Sequence, residues 1–135
     1  MIYGIGTDIA RTSRFEKWVK NPDVIRRFFN PAEIKEIKSD EETERRLSSL
    51  CQHYAARFAA KEAFSKALGT GVRDFSLDEV YVKNDELGKP ELFLKGAAES
   101  VFNKRCPSGK IHLSLSHEKE YATAFVVIEI PATVS

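Results

Sequence analysis

The stretch Arg57-Phe-Ala-Ala-Lys61-Glu62-Ala-Phe-Ser-Lys66-Ala-Leu-Gly69-Thr-Gly71 decides the fold predicted for this chain. It reads as the second half of a helix that begins near Arg45, because apolar residues recur upstream at the helical spacing of three and four. These residues are Leu47, Leu50, Cys51, Tyr54, Ala55 and Phe58. The two glycines at the end predict a loop after the helix. The sequence therefore predicts one long helix with a buried face.

Glu62 falls on the buried face of this helix, where a carboxylate is unexpected. At about 100° per residue, it lies roughly 20° from Cys51 and about 40° from Phe58 around the helix axis. Because burial of an unpaired carboxylate is unfavourable, Glu62 should have a positive partner, a metal ion or a raised pKa. Lys66, one turn further along, is the first candidate for such a partner.

The strand predicted over residues 2–9 has one face that is nearly without side chains. Because side chains alternate along a strand, Gly4, Gly6 and Asp8 share this face. A glycine-lined face is typical of a place where another backbone or a ligand approaches closely. The alternative interpretation is a bulge followed by an Asp that caps a helix.

Basic and aromatic residues cluster in residues 11–29. Ser13 and Glu16 have the spacing of a capping box and predict a short helix that ends at Asn21-Pro22, before a second helical piece over 23–29. The cluster indicates a basic surface with apolar anchors that suits an acidic partner, and a solvated face is the alternative. Its members are Arg11, Arg14, Arg26, Arg27, Phe28 and Phe29.

The other predicted elements follow in order along the chain. A third helical piece runs from Asn30-Pro31 through Ile37, and residues 39–44 form an acidic linker and helix start. Two strands, 75–83 and 92–94, are joined by a turn at 84–90, and a short helix covers 96–104. Residues 111–117 alternate as a strand with His117 at the end of its apolar face. Residues 121–128 are continuously apolar, as in a strand covered on both faces, and residues 131–135 are predicted to be disordered.

Composition limits the class of protein. A chain of 135 residues predicts a single domain over 1–135, and 21 basic against 20 acidic residues argue against a general nucleic-acid binder. The sequence contains neither a signal-peptide pattern nor an apolar run of membrane-spanning length, which predicts a cytoplasmic protein with no membrane partner. Cys51 and Cys106 lack metal-ligand spacing and are interpreted as a buried apolar residue and an incidental thiol.

Three residues stand out from these patterns: Asp8, Glu62 and His117. If they meet in the fold, two carboxylates without cysteine favour a hard cation such as Mg²⁺, which proteins hold with one or two carboxylates and substrate phosphates. A phosphorylated substrate would need positive charge and backbone N–H groups. These are available from Arg57, Lys61, Lys66 and the loop Gly69-Thr-Gly71, although the loop is not a Walker motif and an ordinary helix end is the alternative.

Five motifs in fixed order resemble those of the holo-acyl-carrier-protein synthases, the short type of 4′-phosphopantetheinyl transferase. They are Gly4-Ile-Gly-Thr-Asp8-Ile9, the stretch 57–67, Gly69-Thr-Gly71, Gly88-Lys89-Pro90, and Leu115-Ser-His117 followed by Lys119-Glu-Tyr-Ala122. The match spans nearly the whole chain. The resemblance implies an α+β fold in which an antiparallel sheet packs on the long central helix, and a homotrimer with active sites between subunits.

The resemblance also implies a reaction. Members of this family transfer the phosphopantetheine arm of coenzyme A to a serine of apo acyl carrier protein, release 3′,5′-ADP, depend on Mg²⁺ and serve fatty acid biosynthesis. By the matching motifs, Asp8 and Glu62 would hold Mg²⁺ with the pyrophosphate, and these two would be catalytic together with Lys66 and His117.

Further roles are implied for residues that match the family motifs. Coenzyme A would be contacted by Arg57, Lys61, Lys66, Gly69, Gly71, Lys89, Pro90 and His117. The acidic recognition helix of the carrier protein would face Arg14, Arg26, Arg27 and Phe28. Whether a side chain or a water removes the serine proton stays open.

Other functions remain to be weighed against the transferase. A non-catalytic module would bind coenzyme A without turnover, but it should have a defect at Asp8 or Glu62, and neither is altered. A Mg²⁺-dependent nucleotide hydrolase would release phosphate without an acceptor protein. Ser116 and His117 form a poor nucleophile–base pair, because neighbours on a strand point to opposite faces.

Overall fold

The computed structural model describes residues 1–35 and 44–132. Within these residues the strands are β1 (Ile2–Arg11), β2 (Val80–Asn84), β3 (Pro90–Leu94), β4 (Lys110–His117) and β5 (Tyr121–Glu129). The helices are α1 (Glu16–Val19), α2 (Pro22–Phe28), α3 (Glu44–Leu68) and α4 (Gly96–Arg105), and short 3-10 turns cover Thr12–Phe15, Pro31–Glu33 and Leu77–Glu79. The long helix, the hairpin and the two C-terminal strands are thus found where the sequence predicts them.

Two antiparallel sheets surround the long helix. The larger sheet has the strand order β1-β5-β4, and the smaller one is the β2–β3 hairpin. In the larger sheet, Asp8 lies opposite Ala124, which in turn lies opposite Leu115 on β4. This arrangement confirms the expected α+β fold with an antiparallel sheet against the central helix.

The glycine face of β1 lies directly on the backbone of α3. A Cβ atom added to Gly4 would lie 2.0 Å from the carbonyl oxygen of Ala67, and one added to Gly6 would lie 2.0 Å from that of Ala63. Any side chain at these positions would therefore separate the strand from the helix. The expectation that another backbone approaches this face is confirmed, and the contact places Asp8 beside the helix.

The core lies between α3 and the two sheets. On the side of the large sheet it consists of small and branched residues, including Ala59, Ala63, Ala124, Val126 and Ile128. Aromatic rings pack on other sides of the helix, where Phe58 meets Trp18 edge to face at 5.5 Å and Phe64 meets Phe75 at 6.0 Å between ring centroids. Small residues on one side of α3 thus allow the close contact with the strand, and aromatic rings fill the core on the other sides of the helix.

Several local predictions are wrong. Ser13 and Glu16 form no capping box: a 3-10 turn precedes α1, no side chain caps it, and Thr12 Oγ1 instead donates to the carbonyl of Lys119 at 2.7 Å. The third helical piece is only a 3-10 turn, whose capping box is made by Asn30 and Glu33. Residues 75–79 are a loop and a 3-10 turn before β2 starts.

The last strand, β5, is not covered on both faces within one chain. Its burial alternates, and Phe125 on the outer face is 46% exposed. Ile5 and Ile9 of β1 share this outer face and are 59% and 63% exposed. The predictions for Ile37, the linker over 39–43 and the end of the tail, 133–135, lie outside the described residues.

No helix within 1–35 and 44–132 combines the length and the apolar character needed to cross a membrane.

Candidate active site

Asp8, Glu62 and Lys66 come together where β1 crosses α3. Lys66 Nζ donates to Asp8 Oδ1 at 3.1 Å and to the carbonyl oxygen of Thr7 at 3.0 Å. The Asp8 side chain is mostly enclosed, at 19% exposure, whereas that of Lys66 is 55% exposed. The strand supplies one carboxylate, the helix supplies the other and the ammonium, and the glycine contact fixes the distance between the two elements.

The pKa of Glu62 is raised above its ordinary value. Burial is the main cause because it disfavours the charged form, and the nearby Asp8 carboxylate adds to the effect. The positive charges of Lys66 and Arg14 act in the opposite direction. Glu62 is half-buried, and its raised pKa is one of the three outcomes expected for a carboxylate on this helix face.

The Asp8–Glu62 pair offers oxygen ligands of the kind that Mg²⁺ prefers. Two carboxylates that repel each other and face solvent on one side provide hard oxygen ligands, and the open side leaves room for water or phosphate oxygens. Among the described residues there is no group of three or more His, Cys, Asp or Glu side chains that could hold a metal ion, so the protein offers two ligands at most here. This donor set suits a cation that keeps part of its coordination for a substrate.

Arg14 lies between this carboxylate pair and an aromatic cluster. Its guanidinium carbon is 4.8 Å from the ring centroid of Phe58 and 5.5 Å from that of Trp18, within cation–π range. Trp18 stacks on Phe28 at 5.1 Å between centroids, and Arg27 lies over Phe28 at 5.2 Å. The predicted basic surface is therefore continuous with the edge of the carboxylate site.

Arg26 extends the same surface but has a partner of its own. Its Nη2 atom donates to Asp23 Oδ1 at 2.5 Å, one turn earlier on α2. Both side chains are exposed, and such pairs contribute little to stability. Arg26 can therefore exchange Asp23 for an acidic partner at small cost.

Lys61 does not lie in the site, contrary to the expectation that it contacts the substrate. Its side chain is fully buried, and Nζ forms an ion pair with Glu33 Oε1 at 2.6 Å. A ligand outside the core cannot reach it. The sequence does carry a signal for this burial, because Lys61 lies only about 20° from Tyr54 and roughly 60° from Phe58 around the helix axis.

Arg57 lies on another side of α3, roughly 140° from Glu62 around the axis, so the two do not meet within one chain. Its Nη1 atom donates to the carbonyl oxygen of His53 at 3.3 Å, and its buried Nε has no hydrogen-bond partner among the described residues. The pKa of His53 is lowered to about 3, first by burial and then by the charge of Arg57. His53 is therefore neutral, with Nε2 donating to the carbonyl of Glu33 at 2.6 Å.

His117 is not next to the carboxylate pair either. It lies on the helix side of the large sheet, opposite Ala122, which pairs with Ala10 of β1. Two strand spacings and two residues separate it from Asp8, or roughly 12 Å. Ser116 points to the other face, as the alternation of β4 requires, so Ser116 and His117 cannot act as a nucleophile and its base.

Two turns carry the remaining predicted contacts. Gly69 and Gly71 both have left-handed backbone angles, with φ of 87° and 64°, and line a shallow pocket with Arg73 and Arg105. Neither arginine stands out in the sequence, because only the fold brings the end of α4 next to the loop after α3. Two positive charges and the carboxylate of Asp74 therefore flank the glycine loop.

The other turn holds Lys89 and Pro90 at the tip of the β2–β3 hairpin. Both line a groove against β4, together with Phe93 and Ile111. The backbone N–H of Lys89 donates to Asp85 Oδ1 at 2.9 Å, which fixes the turn. The carboxylate pair, the Arg57 side of the helix and the hairpin groove are thus three separate places on one chain.

Comparisons with known proteins agree with one another. The family model described as the 4′-phosphopantetheinyl transferase superfamily matches residues 4–126. A holo-[acyl-carrier-protein] synthase from a Geobacter species is 47% identical over 132 residues, covering 96% of this chain and 99% of the relative. The enzyme of the same name from Treponema denticola is 43% identical over 129 residues, covering 96% and 99%.

Solved structures resemble this chain over nearly its full length. The holo-ACP-synthase from Plasmodium yoelii superposes with a TM-score of 0.79 at 34% identity and covers 98% of both chains. The holo-(acyl-carrier-protein) synthase from Bacillus anthracis, solved in complex with CoA (3′,5′-ADP), gives a TM-score of 0.73 at 36% identity and covers 97% of this chain and 99% of that chain.

Proposed function

Because this chain belongs to the 4′-phosphopantetheinyl transferase superfamily and is an enzyme of the holo-[acyl-carrier-protein] synthase type, we propose a Mg²⁺-dependent transfer reaction for it. The phosphopantetheine arm of coenzyme A moves to a serine of apo acyl carrier protein. The serine oxygen forms a bond to the β-phosphorus, the bond from that phosphorus to the bridging oxygen breaks, and adenosine 3′,5′-bisphosphate leaves. The observation that carries this proposal is the cluster of Asp8, Glu62 and Lys66.

In this proposal, Asp8 and Glu62 hold Mg²⁺ together with the pyrophosphate of coenzyme A. Bound there, the ion would neutralise charge that develops on the phosphate oxygens. The half-buried position of Glu62 and the strand–helix contact at Gly6 support a rigid carboxylate pair. Lys66 is exposed enough to turn from Asp8 to a phosphate, which supports its role as a phosphate contact.

The other proposed contacts with coenzyme A fall on separate parts of the chain. The Gly69–Gly71 loop offers backbone N–H groups, and Arg57 would meet the 3′-phosphate and adenine end with Lys89 and Pro90. His117 would lie near the pyrophosphate. Because these positions are far apart within one chain, we propose that each site is completed by a second copy.

The assembly that we propose is a homotrimer. Its support is the outer face of the large sheet, where Ile5, Ile9 and Phe125 are all more than a third exposed. The central strand β5 has the apolar sequence of a strand covered on both faces, yet one chain covers only one of them. Neighbouring copies would supply the missing cover.

The carrier protein is proposed to dock on Arg14, Arg26, Arg27 and Phe28. Positive charges held over aromatic rings suit an acidic helix, since the rings anchor and the arginines pair with carboxylates. Arg14 also lies close enough to Glu62 to lower its pKa, so a docked serine would be delivered next to the carboxylate pair. The carrier protein of fatty acid biosynthesis is the acceptor to test first, and a cytoplasmic location stays a prediction.

The direct test is an intact-mass assay. The protein is incubated with apo acyl carrier protein, coenzyme A and MgCl₂, and the carrier should gain the mass of one phosphopantetheine. Omission of coenzyme A, and chelation of the metal with EDTA, should each prevent the gain. A folded carrier that gains no mass in the complete mixture would defeat the proposal, and release of phosphate from nucleotides without a carrier would favour a hydrolase instead.

A further inference from the structure

Lys61 carries a positive charge inside the protein, and all three of its ammonium protons have acceptors. It donates to Glu33 Oε1 at 2.6 Å, to the carbonyl oxygen of Leu77 at 3.1 Å, and to that of Val80. Neither side chain of the ion pair is exposed to solvent, at 0% for both. The pair thus ties α3 to the segment that leads into β2.

Glu33 is held just as completely. Its Oε1 atom accepts from the backbone N–H of Asn30 at 3.0 Å, and its Oε2 atom accepts from that of Val82 at 3.1 Å. The Asn30 side chain in turn donates to the carbonyl of Asp78 at 3.1 Å. Three parts of the chain that are distant in sequence, the turn at 31–33, helix α3 and strand β2, therefore meet at one charged pair.

A gain in the stability of the fold does not by itself explain why this charged pair is buried. Removing two charges from water is so unfavourable that well-packed apolar residues of similar volume often give equal or greater stability. Apolar contacts are not directional, whereas hydrogen bonds are. The hydrogen bonds of an ammonium group therefore fix its position relative to its acceptors, and with it the position of the helix that carries the lysine. The buried pair therefore limits how the helix can move.

The rotation of α3 about its axis is the movement that this pair opposes. Ala63 and Ala67, which touch β1, point about 160° and about 120° away from Lys61 around the helix. Their contact with Gly4 and Gly6 is between backbone atoms, so no interlocking side chains prevent the helix from rotating against the strand. The strand thus fixes how closely the helix approaches, and the directional bonds of Lys61 on the other side fix its rotation.

Glu62 is the residue next to Lys61, so it moves with any such rotation. A side chain extends to a radius of about 5–6 Å from the helix axis, and a rotation of about 10° displaces it by roughly 1 Å. A misplacement of about 1 Å in a reaction site can lower a rate by about 100-fold.

We propose that Lys61 and Glu33 are positioning residues for the transfer reaction: by fixing the rotation of α3, the buried pair holds Glu62 at its place beside Asp8. This inference rests on the proposed function, because Glu62 matters to the reaction only if the carboxylate pair serves it. Neither residue touches the substrate, and both act through the helix.

The test replaces the pair with apolar residues of similar size, Lys61→Met with Glu33→Leu. A second double variant, Lys61→Gln with Glu33→Gln, keeps polar side chains without charge. Val101→Ala in α4 is the control, since it removes apolar volume packed against the core on an element other than α3. All proteins are assayed well below their unfolding temperature, after circular dichroism has established that each is folded.

We expect kcat at saturating coenzyme A and carrier to fall by at least about 10-fold in the apolar double variant, with KM for the carrier nearly unchanged. The Val101→Ala control should keep the kcat of the wild type. A crystal structure of the apolar double variant without metal should show Glu62 displaced from Asp8 by about 1 Å, the shift that a rotation of roughly 10° produces and a readout that does not depend on activity.

Each other outcome is decisive. A folded double variant with wild-type kcat, or a crystal structure in which Glu62 has not moved, overturns the positioning role. Failure of both double variants to fold also overturns it, because the pair would then be needed for the fold itself. A wild-type protein that transfers nothing defeats the proposed function instead, so the two failures are distinguishable.

Discussion

At the residue scale, two lysines on α3 differ in their exposure to solvent because they lie on different sides of the helix. Lys61 is enclosed with Glu33, and burial lowers its pKa while the Glu33 carboxylate acts to raise it. Lys66, further along the same helix, is exposed and pairs with Asp8. The positive charge of Lys61 thus serves the structure, whereas that of Lys66 is accessible to a ligand.

Replacing Glu62 with Gln should abolish transfer and leave the fold intact. The raised pKa of Glu62 means that its ionised form is disfavoured in the folded state, so its penalty appears as pH rises through the raised pKa and is absent below the unfolded value. The melting temperature of Glu62→Gln at pH 7 should therefore equal or exceed that of the wild type, and the gap should close near the ordinary glutamate pKa of about 4.3. Calorimetry across this range measures both.

The matched control for this variant is Glu99→Gln, which neutralises an exposed glutamate on α4 in the same way. Because Glu99 lies on another element than the carboxylate pair and the glycine loop, this control should keep transfer activity. Transfer by Glu62→Gln at the wild-type rate would remove Glu62 from the proposed metal site.

His53 should make the protein sensitive to acid. Its pKa is about 3 in the folded state against about 6.5 in the unfolded chain, so the stability it contributes is present above about pH 6.5 and is lost as pH falls toward 3. His53→Gln keeps a donor for the carbonyl of Glu33 but cannot take up a proton. Between neutral pH and about pH 4, urea unfolding should show a smaller loss of stability for His53→Gln than for the wild type, and parallel curves would contradict this.

At the scale of elements, the contact between β1 and α3 sets the geometry of the site. Gly4 and Gly6 let the strand lie on the helix backbone, and Asp8 follows on the same strand face. The side chains of the site are thus carried by two rigid elements rather than by loops. A change in the spacing of these elements would move Asp8 relative to Glu62.

Gly6→Ala should destabilise the protein by about 3 kcal/mol or prevent folding, because overpacking a closed contact typically costs about 1–3 kcal/mol and here the added atom meets backbone. Its Cβ would lie 2.0 Å from the oxygen of Ala63 and 2.7 Å from the nitrogen of Ala67. Gly69→Ala is the control: apart from its chain neighbours, no atom of the described residues lies within 4 Å of its Cβ, and only its left-handed φ of 87° adds strain of about 1–2 kcal/mol. Urea unfolding should rank Gly6→Ala as the more damaging change.

At the scale of the whole molecule, the large sheet has one covered and one open face. The helix covers the face that carries Asp8 and His117, and the opposite face exposes Ile5, Ile9 and Phe125. A contiguous apolar surface on the central sheet is typical of an interface between chains. Several proposed contacts of coenzyme A are also far apart within one chain, so assembly and activity should be linked.

Phe125→Lys should weaken assembly and lower transfer activity together. A charge buried between copies lacks a partner, and the proposed site needs more than one chain. Sedimentation equilibrium should show a shift from trimer toward monomer. Leu87→Lys is the control for assembly, since Leu87 is 95% exposed but lies on the hairpin turn, away from the outer sheet face. A Phe125→Lys protein that sediments as the wild type does would contradict the proposed interface.

The sequence by itself determined the features that depend on neighbouring residues. Helical periodicity and two glycines predict α3 and its end before Gly69, and strand alternation predicts the glycine face that ends in Asp8. The resemblance to a family added the sheet packed on the helix. These predictions succeed because spacing along one element decides which side chains share a face.

Only the tertiary structure decided which residues from distant parts of the chain meet. The capping box is formed by Asn30 and Glu33, whereas the sequence pattern predicts one at Ser13 and Glu16. Glu33 is buried because it pairs with Lys61, 28 positions away in the sequence. The same contact removes Lys61 from the site, while Arg57 and His117 stay apart from Asp8. Periodicity states which face a side chain is on, but the element that covers that face is chosen by packing across the whole chain.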